Sequence, residues 1–243
     1  MNMMIQIQNL LKKFQNKIAV DISDLTIEAG EMIGLVGNNG AGKTTLLRLI
    51  LDLIKADRGH VSSNGEDVSK SESWKAYTGS YLDEDFNIEF LTPEEFFIFI
   101  TEEYGIPRTE LKQKLGGFQS LFDGQVLGQN KKYIRDFSKG NKQKIGIASA
   151  LMTDPKVLIL DEPFSNLDPS SQIFLKNFLK DYHTRSSATM IISSHDLKHV
   201  TEICTRIILI EHGKVIRDMR NESDTLAQLE SYFSSIAQSE RMI

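Results

Sequence analysis

Met32-Ile33-Gly34-Leu35-Val36-Gly37-Asn38-Asn39-Gly40-Ala41-Gly42-Lys43-Thr44-Thr45 is the stretch that decides the fold of this 243-residue chain. Its first five residues form a short apolar run, the texture of a strand buried on both faces. Gly37, Gly40 and Gly42 then let the backbone curl where a Cβ would clash. Thr45-Leu46-Leu47-Arg48-Leu49-Ile50-Leu51 continues as a helix. Backbone N–H groups in such a loop, backed by the positive end of the helix, cradle phosphate oxygens. In the pattern G-x-x-x-x-G-K-[ST], Lys43 reaches the β- and γ-phosphates and the Thr44 hydroxyl ligates Mg²⁺. Asn38, Asn39, Ala41 and Thr45 complete the loop, and the expected ligand is ATP with Mg²⁺.

The complementary half lies far downstream, in Lys156-Val157-Leu158-Ile159-Leu160-Asp161-Glu162. An apolar run that ends in a carboxylate sets Asp161 at the C-terminal edge of a parallel sheet, where ligands of open α/β sheets sit. Asp161 can hold Mg²⁺ through water. Glu162 can point at the γ-phosphate and orient or deprotonate the attacking water. Lys43 and Glu162 are thus candidate catalytic side chains, and a polar cluster that includes His195 follows the buried run Thr189-Met190-Ile191-Ile192-Ser193. Within Ser193-Ser194-His195-Asp196, the histidine either caps a helix or hydrogen-bonds the γ-phosphate.

The remaining texture supports the same architecture. Ile5-Gln6-Ile7-Gln8 and Leu25-Thr26-Ile27-Glu28 alternate with a period of two, as half-buried strands do. Residues 59 to 68 read as a strand and hairpin turning at Asn64-Gly65. Thr92-Pro93-Glu94-Glu95 is a capping box with proline at the first helical position, opening a helix through Tyr104. Phe96, Phe97 and Phe99 on that helix fill core, form a partner surface or do both, with core filling the default expectation. Helical patterns continue, and residues 82–152 read as an α-helical insertion. Beyond it a helix from Ser170 to His183 separates two buried strands, and Ile207-Ile208-Leu209-Ile210 turns at Glu211-His212-Gly213-Lys214 into Val215-Ile216. Strand–helix alternation of this kind implies a parallel sheet with helices on its faces. From Asn221 the chain is a polar tail, with Leu226, Leu229 and Phe233 on one face of a short helix.

Composition narrows the class. The chain is 40% hydrophobic and 25% charged, ordinary for a globular protein. A net charge of −5 and short basic clusters (Lys12-Lys13, Lys131-Lys132, Lys142 with Lys144) give no electrostatic case for nucleic acid. The single cysteine, Cys204, excludes an intrachain disulfide and reads as a small buried hydrophobe. The start lacks a signal-peptide pattern, and no apolar run approaches the roughly 20 residues that span a bilayer. If the protein serves a membrane, another chain spans it.

Taken together, these motifs resemble the nucleotide-binding subunit of an ABC (ATP-binding cassette) transporter, over essentially the whole chain through residue 219. Phe137-Ser138-Lys139-Gly140-Asn141-Lys142-Gln143-Lys144 is similar to the family signature, most often L-S-G-G-Q. Ser165-Asn166-Leu167-Asp168 resembles the D-loop and His195 the switch histidine, which by that resemblance joins Lys43 and Glu162 as a candidate catalytic side chain. Phe14 stands where the family stacks an aromatic ring on adenine, although an early-strand phenylalanine is core in most proteins. Lys139 replaces the first signature glycine and Asn141 the glutamine; Ser138 and Gly140, expected near the γ-phosphate, remain. The lysine adds charge near ATP or lies outward. Asp83, in Asp83-Glu84-Asp85, aligns with the family's Q-loop glutamine and is a candidate metal contact.

The resemblance implies a P-loop NTPase fold. It comprises a RecA-like parallel core with an N-terminal antiparallel β subdomain and an inserted helical subdomain (1–219), followed by a short tail (220–243). It further implies an ATPase that pairs with a second ATPase subunit, a homodimer partner or a homologue. The pair would power a separate transmembrane permease from the cytoplasmic, inner face of the membrane. The serine-lysine-glycine signature resembles exporter-type ATPases of resistance and immunity systems. A soluble assembly ATPase, as in iron-sulfur cluster assembly, would share every nucleotide motif.

Overall fold

The computed structural model describes residues 3–82, 87–129 and 132–240. In chain order the strands are β1 (Met3–Phe14), β2 (Lys17–Glu28), β3 (Met32–Val36), β4 (Arg58–Ser63), β5 (Glu66–Asp67), β6 (Thr78–Tyr81), β7 (Val157–Leu160), β8 (Thr189–Ser194), β9 (Arg206–Glu211) and β10 (Lys214–Arg220). The helices are α1 (Lys43–Ile50), α2 (Pro93–Glu103), α3 (Arg108–Gly116), α4 (Gln119–Phe122), α5 (Lys139–Leu151), α6 (Pro169–Ser186), α7 (Leu197–Ile203) and α8 (Thr225–Glu240).

Two sheets result. One is antiparallel in the order β2-β1-β4-β5; the other runs β10-β9-β3-β8-β7-β6. In the second, β6, β7, β8, β3 and β9 are mutually parallel, and only β10 runs against its neighbour. This is the expected P-loop NTPase core with an antiparallel β subdomain and added helices.

The apolar runs explain why the core sheet is buried on both faces. Leu158 and Leu160 of β7 pack with Met190 and Ile192 of β8 into the core beneath α5, α6 and α7. Val157, Ile159 and Ile191 point the other way, to Leu46 and Leu47 of α1 and the antiparallel sheet. Each such side chain, withdrawn completely from water, contributes roughly 1.5–3 kcal/mol. Parallel order places the C-terminal ends of β3, β7 and β8 side by side, and the loop residues following them share one edge.

Elsewhere the elements run longer than the alternation suggests. The expected strands at Ile5–Gln8 and Leu25–Glu28 are parts of one 12-residue pair closed at Phe14–Lys17. Asn9 takes a φ of 49°, and the pairing with β4 slips between Gln8 and Leu11. That irregularity puts Leu10 beside Leu11 and hides the period of two. Asn64 and Gly65 both have positive φ, as the turn between β4 and β5 requires. The Thr92 box forms in full: Thr92 Oγ1 accepts from Glu95 N–H, and the Glu95 carboxylate accepts from Thr92 N–H at 2.8 Å. Phe96 and Phe97 are buried as expected, but Phe99 is 43% exposed, because it falls on the outward face of α2. A tilted contact of Phe118 with Phe178, 5.0 Å between ring centres, ties the helical layer to α6.

The tail helix is anchored rather than loose. Leu229 is fully buried in the main core, and Tyr232 Oη donates to Glu211 at 2.8 Å. Cys204 is buried, and burial pushes its thiol pKa up, consistent with a packing role. Among the described residues no helix is long and apolar enough to cross a membrane.

Candidate active site

Gly37 to Gly42 form the loop from β3 into α1, and close approach demands glycine at two places. A Cβ on Gly37 would lie 2.3 Å from the Ile210 carbonyl oxygen, and one on Gly42 equally close to that of Ala19. Gly42 also has φ 110°, a conformation that side chains resist. Strand β9 and the antiparallel sheet therefore press the loop into its curl from two sides.

The loop opens into a cavity of about 350 Å³ lined by Phe14, Lys17, Ala19, Asn38, Asn39, Gly40, Ala41, Gly42, Lys43, Thr44, Thr45 and Glu162. Lys43 is 6% exposed; its ammonium donates to the Gly37 carbonyl at 2.6 Å and lies 3.6 Å from Glu162 Oε1. Phe14 is 51% exposed on this cavity, so the core alternative is set aside. Lys12 Nζ lies 5.3 Å from the centre of its ring.

At the edge of the core sheet the acidic pair splits in orientation. Asp161 turns inward, 6% exposed, accepting from Thr44 Oγ1 at 2.5 Å and from Ser193 Oγ. Burial pushes its pKa up and the neighbouring Glu162 charge adds to this; the two hydroxyls and Lys43 oppose the rise. One hydroxyl and one buried carboxylate on adjoining elements form a hard oxygen donor set. That set fits Mg²⁺, which takes oxygen ligands and keeps several from water and phosphate. A cation there would also offset the burial cost of Asp161. The third metal candidate, Asp83, lies outside the described residues.

Glu162 turns the other way. Its φ of 48° is left-handed, which costs a non-glycine residue about 1–2 kcal/mol. Hydrogen bonds hold it there: its N–H donates to Ser193 Oγ at 2.9 Å, and its carbonyl accepts from Ser165 Oγ at 2.8 Å and Gln143 Nε2 at 3.2 Å. This twist aims the carboxylate between Lys43 and His195, whose Nδ1 is 2.8 Å from Glu162 Oε2. Helix α7 is capped by Asp196, which accepts from Lys198 N–H at 2.9 Å. The capping alternative for His195 is thereby set aside.

Lys43, Thr44, Asp161, Glu162 and His195 therefore converge. Ser138, Gly140 and Asn141 do not join them in the cavity lining. Ser138 caps α5, accepting from Asn141 N–H, and Asn141 Nδ2 reaches Gln125 at 3.3 Å. Gly140 packs so tightly on the next loop that a Cβ would lie 2.5 Å from Asn166 O. Lys139 lines a smaller recess of about 160 Å³ with Gln143, Asp161 and Glu162. Asp168 caps α6 through Ser171 N–H and pairs with the buried Lys144 at 3.3 Å. Hydrogen bonds from Ser170 and Ser171 hold its carboxyl well below the usual range.

Two residues that hold this site escape sequence reading. Ser193 bridges Asp161 and Glu162, yet in sequence it is only the polar end of a strand. Gln143 is 3% exposed and bonds the Glu162–Pro163 backbone. A glutamine mid-helix carries no signal of that, beyond its place two residues past the signature.

Comparison with known proteins agrees with the geometry. The family model described as "ABC transporter" matches residues 20–165, taking in the loop, Ser138, Asp161 and Glu162. The ABC transporter ATP-binding protein NatA of Bacillus subtilis is 34% identical over 227 residues, covering 88% of each chain. A probable sulfate/thiosulfate import ATP-binding protein of Chlorella vulgaris is 32% identical over 215 residues, 88% of this chain and 90% of its own. The solved structure of an ATP-binding subunit of an ABC transporter superposes with a TM-score of 0.79 at 25% identity, over 94% of this chain and 93% of that one. A dimeric ATP-binding cassette bound to ADP and Pi shares the fold at 22% identity, TM-score 0.78, over 90% of this chain and 100% of that one. The chain therefore belongs to the ABC transporter family, as one of its ATP-binding, ATP-hydrolysing subunits.

Proposed function

We propose that two such subunits, this chain with a second copy or a homologue, close around two ATP molecules and so drive a separate membrane-spanning subunit. The observation that carries this is the lining of the phosphate cavity, which holds the phosphate-loop residues Asn38 to Thr45 and none of Ser138, Gly140 or Asn141. Those three sit at the N-terminus of α5, where N–H groups and the helix dipole favour an anion. A second subunit brings its own Ser138 and Gly140 to the γ-phosphate, and ATP supplies differential affinity for the closed pair.

The roles follow from position. Phe14 offers its exposed face to adenine. Residues 37–45 hold the phosphates by backbone N–H, with Lys43 as the balancing charge. Thr44 and Asp161 would hold Mg²⁺, which supplies neutralisation of charge on the β- and γ-phosphate oxygens. Asp83 remains a proposed further contact. Glu162 orients the attacking water and takes its proton as the bond to the β-phosphate oxygen breaks. His195, beside that carboxylate, donates to the γ-phosphate.

Residues 1–219 act as the ATPase unit, with 82–152 as its helical insertion and 220–243 appended. The membrane partner docks against the insertion. Phe99 and Tyr104 are each 43% exposed there, and Tyr104 borders a groove of about 320 Å³ with Leu53 and Trp74. The chain then works as a peripheral protein at the inner membrane face. Export is favoured by Ser138-Lys139-Gly140 alone, against the import named for the Chlorella relative; transport into or out of inverted vesicles distinguishes them. The soluble assembly reading draws no support from the named relatives.

Glu162→Gln tests the core of this proposal. Turnover should fall about 100-fold or more, as for loss of a general base, with an ATP-dependent dimer on gel filtration. Wild-type turnover in that variant would refute the assignment of Glu162. Recovery of no multi-span membrane protein with the tagged chain would refute the transport partner.

A further inference from the structure

We infer that Gln143 is a positioning residue for hydrolysis, acting through the backbone of Glu162. This rests on the proposed role of Glu162 as the base and adds to it. The carboxylate of Glu162 can point at the γ-phosphate only while its backbone keeps the left-handed twist at φ 48°. Two neighbours clamp the peptide groups on either side. Before Glu162, its N–H is held by Ser193 of β8 at 2.9 Å. After it, the Gln143 amide donates to Glu162 O at 3.2 Å and to Pro163 O at 2.7 Å.

The chemistry of the amide suits this task. Its NH₂ group reaches two consecutive carbonyls, and its oxygen accepts from Asn166 Nδ2 at 3.4 Å. The whole side chain is 3% exposed, so water competes poorly for those bonds. Ser165 shares the Glu162 carbonyl, whereas among the described residues Gln143 is the donor to Pro163 O. Loss of Gln143 therefore frees the Pro163 peptide and lets the 162–163 segment relax from its twist.

Position in the helix gives the contact further meaning. Gln143 lies one turn beyond Ser138 and Gly140 on α5. The same helix meets the segment after Glu162 at Gly140–Asn166 and at Lys144–Asp168. The signature helix and the 162–168 segment thus form one braced body. When Ser138 and Gly140 engage a partner's ATP, Gln143 holds the base of its own site in register.

The test compares Gln143→Met, which keeps length and burial without a donor, with Gln143→Glu, which keeps shape and acceptors without a donor. Both are made in the full chain, and ATP turnover, KM, fluorescent-ATP affinity and melting temperature are measured. We expect kcat to fall about 10- to 100-fold, the scale of a small misplacement of a reacting group, with KM and affinity within about twofold. The loss should not multiply with that of Glu162→Gln, since both act on one group. Turnover within about twofold of wild type in either folded variant overturns the inference. So does a fall in kcat matched by an equal fall in affinity, or a double variant with multiplied losses. Should Gln143→Met not fold, the same outcomes are read from Gln143→Glu. Glu162→Gln in parallel separates the failures: if it keeps turnover, the base assignment is wrong; if it loses turnover while the Gln143 variants keep theirs, only the positioning role is.

Discussion

Ser193→Ala removes one hydroxyl and two hydrogen bonds, and its effect can be worked from the site. Ser193 Oγ donates to Asp161 Oδ1 and accepts the N–H of Glu162 at 2.9 Å. A bond to a charged group contributes about 1.5–3 kcal/mol and one between neutral groups about 1 kcal/mol. The side chain is completely buried, so water does not replace either bond. Deleting a single oxygen leaves almost no cavity, so the expected destabilisation is about 2–4 kcal/mol. For a chain of this size that corresponds to a fall in Tm of roughly 5–15 °C. Ser194→Ala is the internal control, because its hydroxyl accepts the Asp196 N–H at 3.0 Å and makes no other hydrogen bond among the described residues; about 1 kcal/mol is expected there. Urea unfolding of both variants at equal m-value measures the difference. A loss below about 0.5 kcal/mol for Ser193→Ala, or one no larger than for Ser194→Ala, would refute the bridging role.

Two further outcomes follow from charge and backbone. Burial raises the Asp161 pKa above its unfolded value, so the native state binds more protons and stability falls as pH rises through that window. Asp161→Asn should then raise the Tm of the nucleotide-free chain at pH 7, an advantage that vanishes below about pH 4 where the carboxyl is protonated in both states. The same change should abolish Mg²⁺-dependent turnover; a lower Tm at pH 7 would contradict the burial argument. Gly42→Ala places a Cβ 2.3 Å from Ala19 O at φ 110°, whereas Gly40→Ala at φ 81° meets nothing within 4 Å. Gly42→Ala should cost at least about 2 kcal/mol more in urea unfolding, and equal costs would disprove the pressed-loop account.

Much of the fold was legible because its signals are local. The apolar runs of β3, β7 and β8, the glycine loop and the Thr92 box each depend on a few neighbouring residues, and all form where expected. Asp161 and Glu162 were legible as a pair, but their opposite orientations were not. Those depend on Ser193, 31 residues beyond Glu162 in sequence, and Gln143, 19 residues before it. Period-two reading stopped at Asn9 because a single left-handed residue shifts which face each side chain takes. Phe99 departs from the core default, because core and surface aromatics differ only by rotation around α2. The docking of Leu229 depends on where α7 lies, which the tail's own polarity conceals.

The phosphate cavity lacks residues 138–141 among its lining, and with the proposed pairing this makes protein dosage a control variable. An isolated chain would be half a reaction vessel, so turnover per molecule in dilute solution would rise with protein concentration. Two copies held on one membrane assembly would instead meet at a local concentration of order millimolar. Such an ATPase would idle when its membrane seat is unfilled, sparing the cell futile ATP consumption by surplus chains.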